Sequence, residues 1–410
     1  MPLFTAFSIL IVISALFAYV NYRFIKLPSA IGLMFLALGL SLTLVLGAHL
    51  VPDVLDKVRD VVQATDLSEL LLGSMLGFML FAGAIHIQLS ELRRERWSIV
   101  LLSTVSVVMS TLLVGFSIQW ILDLFGIVVP ILQALLFGAL ISPTDPIAVL
   151  GILKNAKVPR SLEMKIAGES LFNDGVAVVV FITILAIARD PETMTAGDVA
   201  VLFAREALGG IALGLAVGYI GFLMMHSIDN YKVEVLITIA IVMGGYSLAH
   251  AIDVSGPLAM VAAGILIGNR GKRLAMSKLT AEYVDKFWEL VDEILNALLF
   301  VLIGLELLVI DIHAAYLVIG LIAVVLVLLI RFVSVWLPVQ LIRFLEHFTP
   351  GMLTILTWGG LRGGISIAMA LSLSKADGRE LWLTVTYVVV AFSILVQGLT
   401  LGAVAKRVKL

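Results

Sequence analysis

The chain has 410 residues, of which 61% are hydrophobic and only 14% are charged, and its mean hydropathy is +1.12. This composition excludes a soluble globular domain and indicates a polytopic membrane protein. The net charge of −2 gives no reason to expect nucleic acid as a partner, and the absence of cysteine excludes disulfides and thiolate metal or redox sites.

The apolar segments predict an all-α protein of thirteen transmembrane spans, because a hydrocarbon core about 30 Å thick needs about 20 apolar residues per helix. The first segment lacks a basic leader and a cleavage site, so we interpret it as a retained span rather than a signal peptide. Only a short basic end follows the last segment, so no soluble tail domain is expected. The predicted limits are 4–22, 28–47, 67–88, 98–123, 127–153, 163–188, 199–226, 232–251, 254–269, 288–310, 314–342, 350–373 and 381–404.

The loops between these spans differ in basic charge, which the positive-inside rule uses to assign orientation. Nineteen of the 27 Lys and Arg residues fall in the odd-numbered loops and the C-terminal end, against five in the even-numbered loops. We therefore expect a cell (inner) membrane protein with its N-terminus outside and its C-terminus in the cytoplasm. Arg331 and Arg362 lie well inside apolar segments, where a guanidinium must pair or line water.

Two predicted spans contain residues that break a helix. In the fifth, two prolines flank Thr144 and Asp145, and each proline removes a backbone donor. In the twelfth, four glycines surround Arg362 between positions 359 and 364, which favours unwinding. If spans 1 to 6 and 8 to 13 are two halves joined by span 7, each half is broken in its fifth span. Matched interruptions of this kind point to the binding site of an inverted-repeat transporter.

The sixth span contains the acids around which the chain is organised. On a helix, Ser170 and Asp174 share one stripe, and Glu169 and Asn173 share the adjacent stripe. An ionisable residue at bilayer depth costs at least about 2.5 kcal/mol, so it indicates a functional site with a partner. We expect Asp174 to lie on an ion or proton path, whereas the alternative is a carboxylate that only pairs with a buried base.

The sequence alone gives weaker indications of the roles of the remaining polar residues. A buried ion pair with Arg362 is the preferred role for Glu169. Asp145 has two roles of equal weight, an N-cap of the second half-helix or a group on the ion path. Thr144 offers a hydroxyl and a backbone carbonyl to Na⁺. Four acids fall near predicted span ends and are expected at the membrane interface: Glu206, Asp292, Glu293 and Glu306.

Five segments together resemble one known family. They are SPTDPIAVL at 142–150, GESLFNDGVAVVVF at 168–181, SGPLAMVAAGILIG at 255–268, FWELVDEILNALLFVLIGLEL at 287–307 and GLRGGISIAMAL at 360–371. In this order they are similar to the Na⁺/H⁺ exchanger family, specifically its prokaryotic NhaP-type branch. The similarity covers nearly the whole chain, and the ordered set is far more specific than any one motif.

The resemblance implies a homodimeric antiporter of thirteen helices in a single unit, 1–410. Its core (ion-transport) domain would comprise 98–188 and 314–404, with spans 5 and 12 broken and crossed. A dimerisation domain would comprise 4–88 and 232–310, and a linker helix 199–226. The expected partners are the lipid bilayer and a second copy of the chain.

The resemblance also implies roles for individual residues. Asp174 would be the carrier carboxylate, with Ser170, Thr144 and Asp145 around a Na⁺ ion. Glu169 and Asn173 would contact Arg362, and Arg331 would be a second buried structural base. The chain departs from the family at Leu80-Phe81-Ala82-Gly83 in the third span, where relatives commonly have an acid.

These observations lead to secondary active exchange of Na⁺ for H⁺ by alternating access, with Li⁺ or K⁺ as alternative cations. The chain is not expected to be an enzyme or to need a cofactor. An amide at Asn173 leaves a single exchangeable carboxylate, which favours electroneutral 1:1 exchange for pH and sodium homeostasis. A cation channel would need a repeated filter, and an intramembrane aspartyl protease would need a Gly-x-Gly-Asp signature, and neither pattern occurs.

Overall fold

In the computed structural model, residues 3–47, 57–60, 62, 67–156, 158–189, 195–310, 313–343 and 350–408 are described. Every long regular element in these residues is helical. The first eight are α1 (Leu3–Val20, with a π-helical turn Asn21–Ile25), α2 (Ser29–Leu46), α3 (Leu67–Leu70, Leu71–Met75 and Leu76–Ile85), α4 (Leu89–Arg94), α5 (Arg96–Ser103 and Val105–Leu124), α6 (Ile131–Ile141), α7 (Ile147–Ala156) and α8 (Arg160–Arg189). The others are α9 (Ala196–His226), α10 (Tyr231–Ala251), α11 (Gly256–Leu266, Ile267–Gly271 and Lys272–Leu274), α12 (Lys278–Glu306), α13 (Ala314–Ile342), α14 (Pro350–Trp358), α15 (Gly364–Leu371) and α16 (Arg379–Phe392, Ser393–Gln397 and Gly398–Arg407).

Within the described residues, eight helices are long and apolar enough to cross a membrane. They are α1, α2, α5, α8, α9, α10, α13 and α16. The other predicted spans coincide with α3, the pair α6 and α7, α11, α12, and the pair α14 and α15, which are shorter, interrupted or more charged. The prediction of an all-helical multi-span protein is therefore confirmed.

Very few polar residues separate the predicted span 98–123 from 127–153, and 232–251 from 254–269, and the chain turns at both places. The first follows α5, where Gly126 has φ of +71°, a left-handed conformation that glycine adopts at no steric cost. The second follows α10, where Asp253 has φ of +53°, and Asp tolerates this region better than most residues. Short non-helical segments, 125–130 and 252–255, thus separate the two apolar helices in each case.

Both predicted interruptions are present in the structure. The chain leaves helical geometry between α6 and α7 at residues 142–146, and between α14 and α15 at residues 359–363. The two interruptions contact each other, because the backbone N–H of Asp145 donates to the carbonyl of Leu361 at 2.7 Å. Non-helical backbone at membrane depth needs protein partners, and here each break supplies one to the other.

The glycines of α9 mark a close packing of two helices. A Cβ atom placed on Gly214 of α9 would lie 2.1 Å from the carbonyl oxygen of Ala259 in α11. Gly210 and Gly218 meet the same helix one turn to either side, at Ser255 and Ala263. Such small residues allow two helix backbones to approach closely.

Some charged residues lie deeper than the sequence suggests. Lys165 lies at the start of the span predicted at 163–188, although it is one of the nineteen basic residues assigned to the odd-numbered loops. It is on α8 and fully buried, where it pairs with Glu95 and donates to the Ser98 hydroxyl at 2.9 Å. Glu206 and Glu306, expected at the interface, are both buried. Their position near the predicted span ends therefore does not leave these side chains exposed.

Candidate functional site

A cavity of about 350 Å³ lies beside the middle of α8. One wall is formed by Asp174 of α8 and by the break between α6 and α7, which includes Thr144 and Asp145. Ser366 and its neighbours at the start of α15 form a second wall. α3 and α12 also line the cavity, and the α3 part is apolar: Leu76, Met79, Leu80 and Gly83. The cavity therefore combines several oxygen ligands with a largely apolar surround.

The centre of the site is a set of polar side chains from α8 and the α6–α7 break. The hydroxyl oxygens of Thr144 and Ser170 lie 3.1 Å apart. Asn173 donates its side-chain amide to the Thr144 hydroxyl at 2.8 Å. Asp174 stands one helical turn beyond Ser170 and is only 7% exposed. The structure therefore brings together three of the predicted site residues, Asp174, Ser170 and Thr144.

The amide of Asn173 has a different partner from the one the family resemblance implied. We expected a contact with Arg362, but the amide N–H₂ holds Thr144 instead. Since Asn173 and Thr144 belong to different helical segments, this bond fixes the break against α8. Asn173 therefore orients the Thr144 hydroxyl.

Asp145 combines features of both roles that the sequence left open. It lines the cavity together with Asp174, which is compatible with the ion-path role. It also lies against the start of α15, because a Cβ atom on Gly363, the N-cap residue, would be 2.6 Å from its Oδ2. A carboxylate is favourable near a helix N-terminus, where the backbone N–H groups carry partial positive charge. This contact joins Asp145 to α15, in the other half of the chain.

Arg362 does not make the predicted ion pair with Glu169. Its Nη1 donates to the carbonyl of Pro143 at 3.0 Å and to the carbonyl of Ser142. These carbonyls follow the last turn of α6, where a cation complements the partial negative charge of the helix end. The backbone N–H of Arg362 also donates to Ser393 of α16 at 2.9 Å. The fully buried guanidinium thus holds the α6 side of the first break.

Glu169 is paired with Arg331 instead. Arg331 Nη1 lies 2.6 Å from Glu169 Oε1, and both side chains are almost completely buried. Arg331 Nη2 also donates to the carbonyl of Leu356 at 3.0 Å, in the last turn of α14. A Cβ atom on Gly360 would lie 2.6 Å from Arg331 Nε, so a side chain at that position would displace the guanidinium. α6 and α14 both end at a break, and at each of them an arginine donates to carbonyls in or just after the last helical turn.

Sequence reasoning missed two polar residues of the cavity wall. Asp292 of α12 was expected at the membrane interface, yet it lines the same cavity as Asp174. Ser366 of α15 also lines the cavity and is 1% exposed. One sequence signal was available for Asp292, because Asn296 stands four residues further along the chain, on the same face of a helix. In the structure, the Asn296 amide donates to the Asp292 carboxylate at 3.0 Å.

The donor atoms of the site are oxygens of carboxylates and hydroxyls. These are the ligands that hard cations prefer, in contrast to the nitrogen and sulfur ligands of zinc sites. In the described part of the chain, no group of three or more His, Cys, Asp or Glu side chains is placed to hold a metal ion. A monovalent ion at Asp174, Ser170 and Thr144 would be cargo of the protein.

The interrupted helices that meet at a buried carboxylate define a membrane carrier with an ion site between two breaks. The chain belongs to the sodium/hydrogen exchanger family, whose transmembrane model matches residues 11–407.

Several known proteins are similar to this chain over most of its length. The Na⁺/H⁺ antiporter NhaP of Pseudomonas aeruginosa is 47% identical over 403 residues, which cover 97% of this chain and 95% of that protein. NhaH of Halobacillus dabanensis, also a Na⁺/H⁺ antiporter, is 33% identical, with 94% and 93% covered. The fold is similar to that of the sodium proton antiporter MjNhaP1 of Methanocaldococcus jannaschii, with a TM-score of 0.78 at 20% identity over 100% of this chain and 99% of that one.

Proposed function

We propose that this protein exchanges Na⁺ for H⁺ across a membrane by alternating access. The observation that carries the proposal is the position of Asp174, a buried carboxylate on the wall of a cavity beside the hydroxyls of Thr144 and Ser170. Membership of the family and the names of its similar proteins add independent support.

The chemistry follows from competition of two cations for one carboxylate. Loss of the Asp174 proton creates an anionic site, and Na⁺ then binds the carboxylate with Ser170 and Thr144 as further oxygen ligands. Either cation neutralises the site, and a neutral site crosses the low-dielectric interior at far lower cost than a bare charge. Because both cations use the same group, one direction of movement carries Na⁺ and the other carries H⁺.

The proposed architecture has thirteen spans, built as two inverted six-span repeats that are joined by α9. The cavity is lined by two groups of elements: α3 with α12, and α7, α8 and α15 with the α6–α7 break. These groups belong to the dimerisation domain (4–88 and 232–310) and the core domain (98–188 and 314–404), respectively. Movement of the core domain against the dimerisation domain would then open the cavity to each side of the membrane in turn.

We further propose a homodimer in the inner membrane, with the N-terminus outside and the C-terminus in the cytoplasm. The excess of Lys and Arg in the odd-numbered loops supports this orientation. Large apolar side chains of α1 and α10, among them Phe4, Leu16, Leu236 and Met243, are exposed. Lipid or a second copy of the chain would cover them.

The experiment is transport by purified protein in proteoliposomes with a pH-sensitive dye inside. After an acidic interior is imposed, Na⁺, Li⁺ and K⁺ are added outside in turn. Na⁺ should raise the internal pH, and a response to K⁺ alone would replace this proposal by K⁺/H⁺ exchange. If no cation dissipates the gradient, exchange itself is rejected. Counterflow of labelled Na⁺ separates a carrier from a channel.

A further inference from the structure

The short helix α4 connects two groups of packed helices. Before it, α3 packs against α11 and α12. After it, the first part of α5 packs against α8, and the second part packs against α6 and α13. α4 itself runs only from Leu89 to Arg94, between the extended residue Gln88 and the non-helical residue Glu95. In the proposed architecture, α3 belongs to the dimerisation domain and α5 to the core domain, so the chain passes from one to the other at α4.

The beginning of α4 is held by Asn269, which lies in the π-helical turn of α11. Asn269 Oδ1 accepts from the backbone N–H of Leu89 at 2.7 Å. Its Nδ2 donates to the carbonyl of Ile87 at 2.8 Å and to the carbonyl of Ile265, in its own helix, at 2.9 Å. One side chain therefore binds the chain to α11 on both sides of Gln88.

The end of α3 is also attached to α11. Lys272 Nζ donates to the carbonyl of Ile85 at 2.9 Å. A Cβ atom on Gly264 would lie 2.7 Å from the Cβ atom of Ala84, so the two helices are in close contact there. The chain up to Leu89 is therefore fixed to α11.

The rest of α4 is attached to α8 instead. Arg160 Nε lies 2.6 Å from Glu91 Oε1. Lys165 is completely buried, pairs with Glu95 and donates to the Ser98 hydroxyl at 2.9 Å. A buried ion pair is costly to break, because the partner that remains is an uncompensated charge in a low-dielectric interior. From Glu91 onward, the chain is therefore coupled to the helix that carries the carboxylate of the ion site.

The attachment changes from α11 to α8 between Leu89 and Glu91. Hinges in proteins are a few residues at the end of an element that absorb a change in backbone angles while the elements on either side remain rigid. The first turn of a helix suits this role, since its first backbone N–H groups have no partner within the helix. Ser90, between the two anchors, is exposed, so a movement there displaces no packed side chain.

We propose that residues 88–91 form a hinge between the two domains, and that Asn269 is the positioning residue that holds its stationary side. The inference rests on the proposed exchange of Na⁺ for H⁺ by movement of the core domain. The chain from Glu91 onward moves with α8, whereas the chain up to Leu89 remains on α11. Asn269 is not among the residues that line the ion cavity, so it acts on the rate of the movement and not on binding of the ion.

The first test compares Asn269→Ala with Asn21→Ala in the proteoliposome assay. Asn21 is a matched control, because it also lies in a π-helical turn and binds both backbone groups of Leu27, the N–H at 3.2 Å and the carbonyl at 2.9 Å. It joins α1 to α2, which both belong to the proposed dimerisation domain. A detached stationary side would absorb part of the movement, so loss of the hydrogen bonds should lower the maximal exchange rate about fivefold in Asn269→Ala. The Na⁺ concentration for half-maximal exchange should stay unchanged, and Asn21→Ala should retain the wild-type rate per folded protein.

Melting temperatures in detergent separate a loss of folding from a loss of movement. Both variants lose the same kind of contact, so their melting temperatures should fall by similar amounts. Equal exchange rates of the two variants, or a changed Na⁺ concentration in Asn269→Ala, would overturn the hinge. A wild-type protein that exchanges no cation would instead reject the proposed function. Should Asn269→Ala fail to fold, spin-label distances decide.

Those distances test the hinge without any change at its anchors. The chain has no cysteine, so labels can be placed at pairs of introduced cysteines alone. Arg93→Cys on α4 is combined with Arg273→Cys on α11 or with Lys406→Cys on α16, and all three positions are exposed. Between a Na⁺-loaded sample at alkaline pH and a Na⁺-free sample at acid pH, the 93–273 distance should change and the 93–406 distance should stay constant. An unchanged 93–273 distance, or equal changes in both pairs, would overturn the proposal.

Discussion

Arg331 Nη1 and Glu169 Oε1 lie 2.6 Å apart in the interior of the protein, with only 5% and 2% of their side chains exposed. The pair joins α13 to the helix that carries Asp174, and its guanidinium also reaches the carbonyl of Leu356 at the end of α14. One ion pair therefore fixes the ion-binding helix, a neighbouring span and one half of a broken span. This arrangement makes Arg331 the structural anchor of α8.

The first prediction is that Glu169 and Arg331 are energetically coupled. Breaking a buried ion pair on one side leaves an uncompensated charge and costs about 3 to 5 kcal/mol. Glu169→Gln and Arg331→Gln should each lower the melting temperature in detergent, and the double variant should cost clearly less than the sum. A matched control cycle combines Glu169→Gln with Arg362→Gln, because the Arg362 guanidinium bonds to backbone carbonyls. If both cycles are equally additive, the assigned pairing is wrong.

The second prediction concerns the carrier carboxylate. Asp174→Asn should abolish cation-induced dissipation of a pH gradient in proteoliposomes, because an amide neither releases a proton nor supplies negative charge. The fold should survive, since the amide has the size of the carboxylate. Asp123→Asn, at an exposed position near the end of α5, is the control and should exchange normally. Exchange at the wild-type rate in Asp174→Asn would remove Asp174 from the mechanism.

The positions of Asp174 and of the two breaks could be predicted from the sequence because each rests on a local rule. A carboxylate at bilayer depth needs a reason, and proline and clustered glycines disturb a helix wherever it packs. The Glu169 partner could not be derived in this way. Arg331 and Arg362 both lie in apolar segments, and helical periodicity places a residue on a face without saying which helix the face meets.

The depth of Asp292 illustrates the same limit. The residues before it on α12 include Glu282, Asp285 and Glu289, and such a run indicates the end of a span. α12 is 29 residues long, and Asp292 lies near its middle and lines the cavity. Whether Asp292 lies at the end of a span or at the cavity depends on how α12 packs against α15. That packing is a tertiary property, which the local sequence does not determine.

The third prediction separates the hydroxyl of Thr144 from its shape. Thr144→Val removes the oxygen that lies 3.1 Å from Ser170 and accepts from Asn173, whereas Thr144→Ser retains it. Loss of a bond to a charged ligand is worth about 1.5 kcal/mol or more, which corresponds to about tenfold in affinity. The Na⁺ concentration for half-maximal exchange should rise about tenfold in Thr144→Val and stay near the wild-type value in Thr144→Ser. Equal values in the two variants would exclude the hydroxyl as a ligand.

The fourth prediction concerns acid stability outside the spans. Asp285 precedes the span predicted at 288–310 and binds Lys272 of α11 and His86, whose Nδ1 lies 3.4 Å away. Partial burial acts to raise the pKa of Asp285, but the hydrogen bonds and charges of His86 and Lys272 outweigh it and lower the pKa. The carboxylate therefore stabilises the fold above the ordinary aspartate pKa of about 4, and this contribution is lost as the pH falls through the lowered value.

Melting temperatures in detergent between pH 7 and pH 3 measure that contribution. The wild-type protein should lose more stability in acid than Asp285→Asn, which has no proton to bind. The effect should be modest, because the carboxylate is about 41% exposed and water screens its partners. Glu282→Gln removes a more exposed acid on the same helix and should retain the wild-type pH profile. Identical profiles for Asp285→Asn and the wild-type protein would contradict the assigned contacts.

The fifth prediction is electroneutral exchange of one proton for one Na⁺. Asn173, beside Asp174, is an amide and cannot carry a proton as a second carboxylate would. Glu169 is held by Arg331, so this pair adds no net charge to the moving helices. Asp145 lies against the start of α15, where the partial positive charge of the helix N-terminus complements a carboxylate. Asp174 then remains as the one exchangeable group of the core.

A potassium-diffusion potential set with valinomycin in proteoliposomes tests this stoichiometry, with Na⁺ as the transported ion. Because no net charge moves in a 1:1 exchange, neither the rate nor the end-point should respond to the potential, whichever its sign. Liposomes without an imposed potential provide the reference, and a protonophore confirms that a pH gradient was present. A shift in the end-point with potential would mean that a second carboxylate also carries a proton, and Asp145→Asn and Glu169→Gln would then identify it by restoring electroneutrality.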